Sequence, residues 1–258
     1  MSARRLAASL PAAVLFLAVA AAVRVDALPA GGVPGAGPGV QIMVVGTGGT
    51  ILSPARTVTA GETTVRVAKK TCAVAAGTPL AALVALRRGG GPGFALRDYG
   101  NCGPSPRNSG QLFVYSLAGE MNRGQDGWEY KVDGASGTTG AGDPGGPRGD
   151  GRRLRAGERL LWFWCQAAGG GCERTLEVAP AVSTVARGGS FTVTVTGYDN
   201  EGRGTPVAGA IVTLGADFAS TGSGGRATLI APLAPGRYRV SVVRVGLVPS
   251  FPETIVVR

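Results

Sequence analysis

Ser190-Phe191-Thr192-Val193-Thr194-Val195-Thr196 alternates apolar and hydroxyl side chains, and Gly197-Tyr198-Asp199-Asn200-Glu201-Gly202 then turns the chain. A period of two places Phe191, Val193 and Val195 on one face of a strand and the threonines on the other, which is how a half-buried β-strand reads. Outward from this stretch the grammar repeats. Pro206 to Leu214, the turn from Thr221 to Ala227, Gly236 to Val240 and Phe251 to Val257 give short strands separated by turn signals. From about Thr175 onward this spacing is that of an all-β sandwich. Asp199, Asn200 and Glu201 read as a solvated hairpin tip rather than as calcium ligands.

Toward the N-terminus the pattern stays β-rich but changes character. Arg159 to Cys165, Trp128 to Val132, Gln111 to Ser116, Thr71 to Val74, Val65 to Val67 and Val40 to Val45 read as strands. Gly77-Thr78-Pro79-Leu80 opens one short helix: Thr78 can accept from a free amide of the first turn, and Pro79 occupies the position that needs no donor. Leu80, Leu83 and Val84 share a face, and Gly89 after Arg87 and Arg88 is the stop. Val45 runs into Gly46-Thr47-Gly48-Gly49-Thr50, but Ile51 stands where a dinucleotide loop needs its third glycine and no helix pattern follows. On the Arg159–Cys165 strand, Trp162 and Trp164 point to one side and Leu161, Phe163 and Cys165 to the other. Trp128, Tyr130, Trp162 and Trp164 are therefore the candidate ligand-binding residues, as a stacking platform; the competing reading is cross-strand packing. A binding role requires at least one of these rings to face a cleft. Between the strands, Gly134 to Gly151 is a long glycine-rich loop with Arg148 within it and Arg152, Arg153 and Arg155 close by, of a length that is functional or mobile.

The fold class is mainly β: a small β-rich α+β domain with one short helix over residues 40–178, then an immunoglobulin-like β-sandwich over residues 179–258. Glycine (44) and proline (17) fill about a quarter of the 258 residues, yet the hydrophobic share of 44% is periodic enough to argue for packed β structure. Histidine is absent from the sequence. That excludes serine or cysteine catalysis through histidine, histidine-metal sites and histidine pH switching.

The N-terminus reads as an export signal over residues 1–27. Arg4 and Arg5 form the positive region, Ala7 to Val23 the apolar run, and Val25-Asp26-Ala27 the small-residue cleavage site, with Ala20 to Ala22 as a second candidate. Twin-arginine export and an uncleaved anchor are the alternatives; Pro11 and the short apolar run speak against the anchor. Residues 28–39 are a Gly/Pro linker. No cysteine lies near the cleavage point, so no lipid anchor is expected, and no stable membrane span after cleavage. The net charge of +10 stays strongly positive in the mature chain. Outside the cell that balance points to anionic envelope polymers or lipid headgroups rather than nucleic acid, or serves solubility alone.

Four cysteines in an exported chain should pair, and of three connectivities the sequential one is favoured: Cys72 with Cys102, and Cys165 with Cys172. Chain entropy gives about 3 to 4 kcal/mol for the larger loop and about 2.5 for the smaller. A four-thiolate metal site lacks the close cysteine pairs it needs. Calcium through Asp126, Asp143 and Asp150 lacks any recognised loop spacing, so no metal is expected. Catalysis without histidine would need a carboxylate pair working on glycans, drawn from Asp126, Glu129, Asp143, Asp150 and Glu158, but no motif selects one.

Val74 to Leu86 with Gly77-Thr78 and Leu80, then Trp128-Glu129-Tyr130-Lys131-Val132-Asp133-Gly134, then Leu154 to Trp162 resemble the domain at the C-terminal end of transcobalamin and intrinsic factor, also found alone in secreted bacterial proteins of unknown function. The resemblance covers roughly half the chain. It implies a β-rich domain with one helix, a binding cleft and no catalytic residues, with cobalamin or another tetrapyrrole as the implied ligand; otherwise no cofactor is expected. The Thr175–Arg258 segment resembles bacterial immunoglobulin-like and carboxypeptidase-regulatory-like modules, which act as spacers or adhesion units. The expected function is an exported, noncatalytic binding or cell-surface interaction protein, monomeric, with an envelope polymer or a small molecule as ligand. A structural spacer of the envelope is the runner-up.

Overall fold

The computed structural model describes residues 37–167 and 171–258. The expected export signal and nearly all of the 28–39 linker lie outside the described residues. The first half carries β1 (Gly39–Val45), β2 (Ile51–Thr59), β3 (Thr63–Val67), β4 (Lys70–Val74), α1 (Pro79–Arg88), β5 (Phe94–Asp98), β6 (Leu112–Leu117), β7 (Glu120–Met121), β8 (Gly127–Val132), β9 (Ala135–Ser136) and β10 (Arg159–Cys165). Five of these form one sheet in the order β2-β1-β10-β8-β9, with β1 and β10 running parallel at its centre. A parallel pair needs a crossover, and the connection from β1 to β10 carries α1 and two small antiparallel sheets, β3-β4 and β5-β6-β7.

The helix forms as its local chemistry dictates: Thr78 Oγ1 accepts from the Ala81 amide at 3.2 Å and Gly89 closes the C-terminus. Its apolar face is wider than the expected stripe, because Ala81, Ala82 and Leu86 are buried along with Leu80, Leu83 and Val84. Two strands escape a reading by alternation. The sequence of β2 holds Pro54, which has no amide to donate, and β2 tolerates it as the edge strand of its sheet. The short β5 has no buried side chain, Arg97 being exposed and the others half-buried, and is fixed by pairing with β6.

The second half adds β11 (Thr175–Pro180), β12 (Thr184–Val185), β13 (Ser190–Tyr198), β14 (Gly204–Pro206), β15 (Ile211–Leu214), β16 (Asp217–Ser220), β17 (Arg226–Ile230), β18 (Gly236–Val243) and β19 (Glu253–Val257). One sheet centres on β13, which pairs with β11 on one side and with β17 and then β14 on the other. The other runs β12-β19-β18-β15-β16. The inward residues of both sheets, among them Phe191, Val193, Val195, Leu229, Val212, Val240 and Ile255, form a single core. The alternation along β13 is as read: Phe191, Val193 and Val195 are buried and the threonines between them half-buried.

A third core joins the halves. The far face of the first sheet, carrying Met43, Val45, Leu161, Phe163 and Cys165, packs against Val248 and Phe251 from the chain before β19. The first sheet is thus covered on both faces, which is why β10 reads as an unbroken apolar run. The turn from Tyr198 to Gly202 is a correction to the solvated tip expected from sequence. It docks on the β8–β9 hairpin, where the Ser136 amide donates to the Asn200 carbonyl at 2.9 Å and Asn200 Oδ1 is buried. Both disulfides have the sequential pairing, Cys72–Cys102 and Cys165–Cys172.

Candidate functional site

Trp128, Tyr130, Trp162 and Trp164 lie on one face of the first sheet because β8 and β10 are antiparallel neighbours in a register that sets Trp162 opposite Tyr130 and Trp164 opposite Trp128. Both pairs touch. The Trp128 and Trp164 rings meet edge to face at 5.8 Å, and Tyr130 lies tilted against Trp162 at 5.5 Å. All four side chains are buried, with Trp162 only 1% exposed. The exposed stacking platform anticipated from strand alternation is therefore absent; the four rings pack across their strands inside the core that also holds α1 and β6.

Two of the four rings have partners for their polar ends. Trp128 Nε1 donates to the Glu120 carbonyl at 3.0 Å, and the Tyr130 hydroxyl donates to the Thr139 carbonyl at 2.9 Å. Burial, aided by the nearby carboxylates of Glu129 and Asp143, pushes the Tyr130 phenol up to about 12. Trp162 Nε1 is buried and has no acceptor among the described residues.

Edges of Trp128, Tyr130 and Trp162 line a cavity of about 220 Å³. Its other walls come from Tyr99 and the stretch from Gly110 to Val114, and from Thr139, Gly140 and Ala141 of the glycine-rich loop. The loop is held in place: Thr139 Oγ1 donates to the Gly146 carbonyl at 2.7 Å, and the Thr138 amide donates to the Pro147 carbonyl at 2.9 Å. Glycine at 137 and 140 permits this, since a Cβ there would overlap the Tyr130 ring and the Gly110 carbonyl. At the rim, Tyr99 is 65% and Phe113 43% exposed, with ring centroids 6.1 Å apart. Sequence reasoning missed both. Phe113 had a signal, as the outward residue between inward Leu112 and Val114 on β6; Tyr99 had none, because its place follows from the pairing of its amide with the Gln111 carbonyl. No lining residue carries a charge.

A second cavity, of about 290 Å³, opens beside Lys131, Asp133, Arg159, Glu177 and Tyr198. Lys131 is 1% exposed; its ammonium donates to the Asp199 and Tyr198 carbonyls at 2.8 and 3.0 Å and lies 3.4 Å from Thr175 Oγ1. With three donors and three acceptors it is satisfied, and Arg159 is paired with Glu253. The carboxylates weighed as calcium ligands accept from backbone amides: Asp143 from Gly145 and Asp150 from Arg152 within their own turns, and Asp126 from Ala167, 41 residues along the chain. Among the described residues no three potential ligands cluster. No described helix is long and apolar enough to cross a membrane.

No protein-family model matches the chain, and no curated protein sequence does. Among solved structures, it is similar to the D00-D0 domain of Intimin at 17% identity, over 57% of this chain and 90% of that one, with a TM-score of 0.25. It is similar also to the D0-D1 domain of Intimin at 13% identity, over 83% and 96%, with a TM-score of 0.25. The tetrapyrrole implied by the resemblance to transcobalamin does not fit the first cavity. At about 220 Å³ it falls below the roughly 300 to 1,000 Å³ of pockets that enclose drug-sized ligands, and the chain has no histidine to reach a cobalt.

Proposed function

We propose that the chain is an exported, noncatalytic binding protein of the cell surface, with its ligand seated in the aromatic-walled cleft beneath Tyr99 and Phe113. The observation that carries this reading is the pair of water-exposed rings at the mouth of an uncharged, mostly apolar cavity, a pattern of ligand sites rather than of cores. Two disulfides and no free cysteine among the described residues support an oxidising compartment. Residues 40–174 are proposed as the binding module, ending before the boundary expected from sequence because β11 pairs with β13 of the following half. Residues 175–258 are proposed as the immunoglobulin-like module that presents it, with an envelope polymer or a small molecule as the partner.

The test separates this from the spacer reading. Tyr99→Ala and Phe113→Ala, separately and together, should leave the thermal melt within about 0.5 kcal/mol of the native chain, as surface changes do. Retention on envelope preparations should fall in the double variant. Unchanged retention would favour the spacer.

A further inference from the structure

We infer that the tip of the glycine-rich loop, Arg148-Gly149-Asp150, is a binding element separate from the cleft. Its partner is a receptor that holds the guanidinium in an acidic pocket and the carboxylate on a divalent cation, as integrins of animal cells do with this tripeptide. The inference needs neither the cavity nor its aromatic rings, and shares with the function proposed above only the export of the chain. Three such residues recur by chance in a chain rich in arginine and glycine, so the motif alone decides nothing. Its presentation does. Gly146 and Pro147 are buried, and Arg148, Gly149 and Asp150 directly after them are exposed.

The segment is also pinned. The Gly151 amide donates to the Gly145 carbonyl at 2.8 Å and the Gly149 amide to the Gly146 carbonyl at 3.1 Å, which closes a small ring of backbone around the tripeptide. The Thr138 amide and the Thr139 hydroxyl tie the buried base of that ring to the other arm of the loop. Gly149 has a φ of 69°, so the residue between the two charges sits where a side chain would be strained. A tip held in this way loses less freedom on binding than a free tripeptide. Both charges remain available. The Arg148 guanidinium has no hydrogen bond or ion pair among the described residues, while Arg152 beside it is paired with Glu158. Asp150 Oδ1 accepts from the Arg152 amide at 2.9 Å, and no partner among the described residues takes Oδ2. The hollow of about 190 Å³ next to the tip is edged by two acids and two bases, Asp133, Asp150, Arg148 and Arg152, and so has no single sign of charge. Opposite charges one glycine apart suit a cation-bearing receptor rather than a uniformly anionic polymer, which Asp150 would repel.

The full chain is immobilised and tested against a panel of soluble integrin ectodomains that read Arg-Gly-Asp, in manganese, in EDTA, and in manganese with a cyclic Arg-Gly-Asp peptide as competitor. At least one ectodomain should bind saturably in manganese, be released by EDTA and be displaced by the peptide. Asp150→Asn keeps the acceptor for the Arg152 amide and loses the charge, whereas Asp150→Glu keeps the charge and moves it by one methylene. Each should weaken binding by about 30-fold or more, as loss of a central anchor does, with an unchanged thermal melt. If either variant fails to fold, the EDTA and peptide arms on the native chain decide. Binding to no ectodomain, binding that survives EDTA or the peptide, or an Asp150→Asn chain that binds like the native one overturns the inference. The Tyr99→Ala/Phe113→Ala variant separates this site from the cleft. It should bind the receptor as the native chain does even where it loses envelope retention; loss of receptor binding in that variant would place the contact in the cleft and overturn the role of the tip. Receptor binding through Asp150 with retention unaffected by the cleft variant would uphold the tip and remove the cleft role.

Discussion

Of the three lysines, Lys69 and Lys70 are exposed and Lys131 is buried at the junction of the two halves. Burial pulls its ammonium down to about 8, against the opposing pull of the Asp199 and Glu201 carboxylates, from an ordinary 10.5. The unfolded chain therefore holds a proton that the folded chain releases between those values, so this group makes stability rise with pH from about 8 toward 10.5 and leaves it flat below. Thermal melts from pH 7 to about 9.5 should show that rise, and Lys131→Met should abolish it. The range stops there because the Tyr130 phenol, raised to about 12, makes stability fall once an unfolded tyrosine ionises near 10. Lys131→Met should also cost about 1 to 3 kcal/mol at pH 7, by leaving the Tyr198 and Asp199 carbonyls without their donor. The buried rings behave differently from the rim. Trp128→Ala and Trp162→Ala should each lose roughly 3 to 5 kcal/mol in a denaturant titration, as core truncations do.

At the scale of elements, the glycine-rich loop and the disulfides hold the cleft in shape. Gly140→Ala would force a Cβ into the Gly110 carbonyl, so the loop must lift from the chain before β6 and open the wall of the cavity. The expected readout is a lower melting temperature together with a red-shifted tryptophan emission; an unchanged spectrum would mean the backbone yields without opening the wall. Cys72–Cys102 ties β4 to the segment after β5, beside the Lys70–Asp98 ion pair at 2.8 Å. The Lys70 ammonium is the main cause that holds the Asp98 carboxyl below its ordinary range, with the Cys102 and Gly100 amides adding to it. Cys72→Ser/Cys102→Ser should lose about 3 to 4 kcal/mol by the loop-entropy argument, and Cys165→Ser/Cys172→Ser about 2.5, because their loops span 30 and 7 residues.

At the scale of the whole molecule, the halves have their own cores and share a third. The strand β11 runs through the boundary anticipated at residues 178 and 179 and pairs only within the second half. A chain ending at Arg174 would expose the Met43, Val45, Leu161 and Phe163 face of the first sheet. Such a fragment should melt below the full chain and bind a hydrophobic dye, and Phe251→Ala in the full chain should reproduce part of that loss, about 3 kcal/mol or less given its partly shared site. Equal melting of fragment and full chain would show that the shared core contributes nothing.

Local chemistry was enough to place β8, β10, β13 and the capped helix, because each is written in a period or a cap that neighbours do not alter. It also set which side of β10 carries Trp162 and Trp164, and it brought the four aromatics together. Which side meets water is a different question. Alternation assigns faces but not their covers, and here α1 covers one face of the first sheet while Val248 and Phe251, more than eighty residues along the chain from β10, cover the other. The rim of the cleft was illegible for the same reason: Tyr99 and Phe113 become neighbours only through the pairing of β5 with β6, and the loop becomes a wall only through close glycine contacts. Composition determined a basic, histidine-free, disulfide-bearing β protein. Long-range pairing, whose energy no single segment contains, decided where its cavity opens and which rings stand at the door.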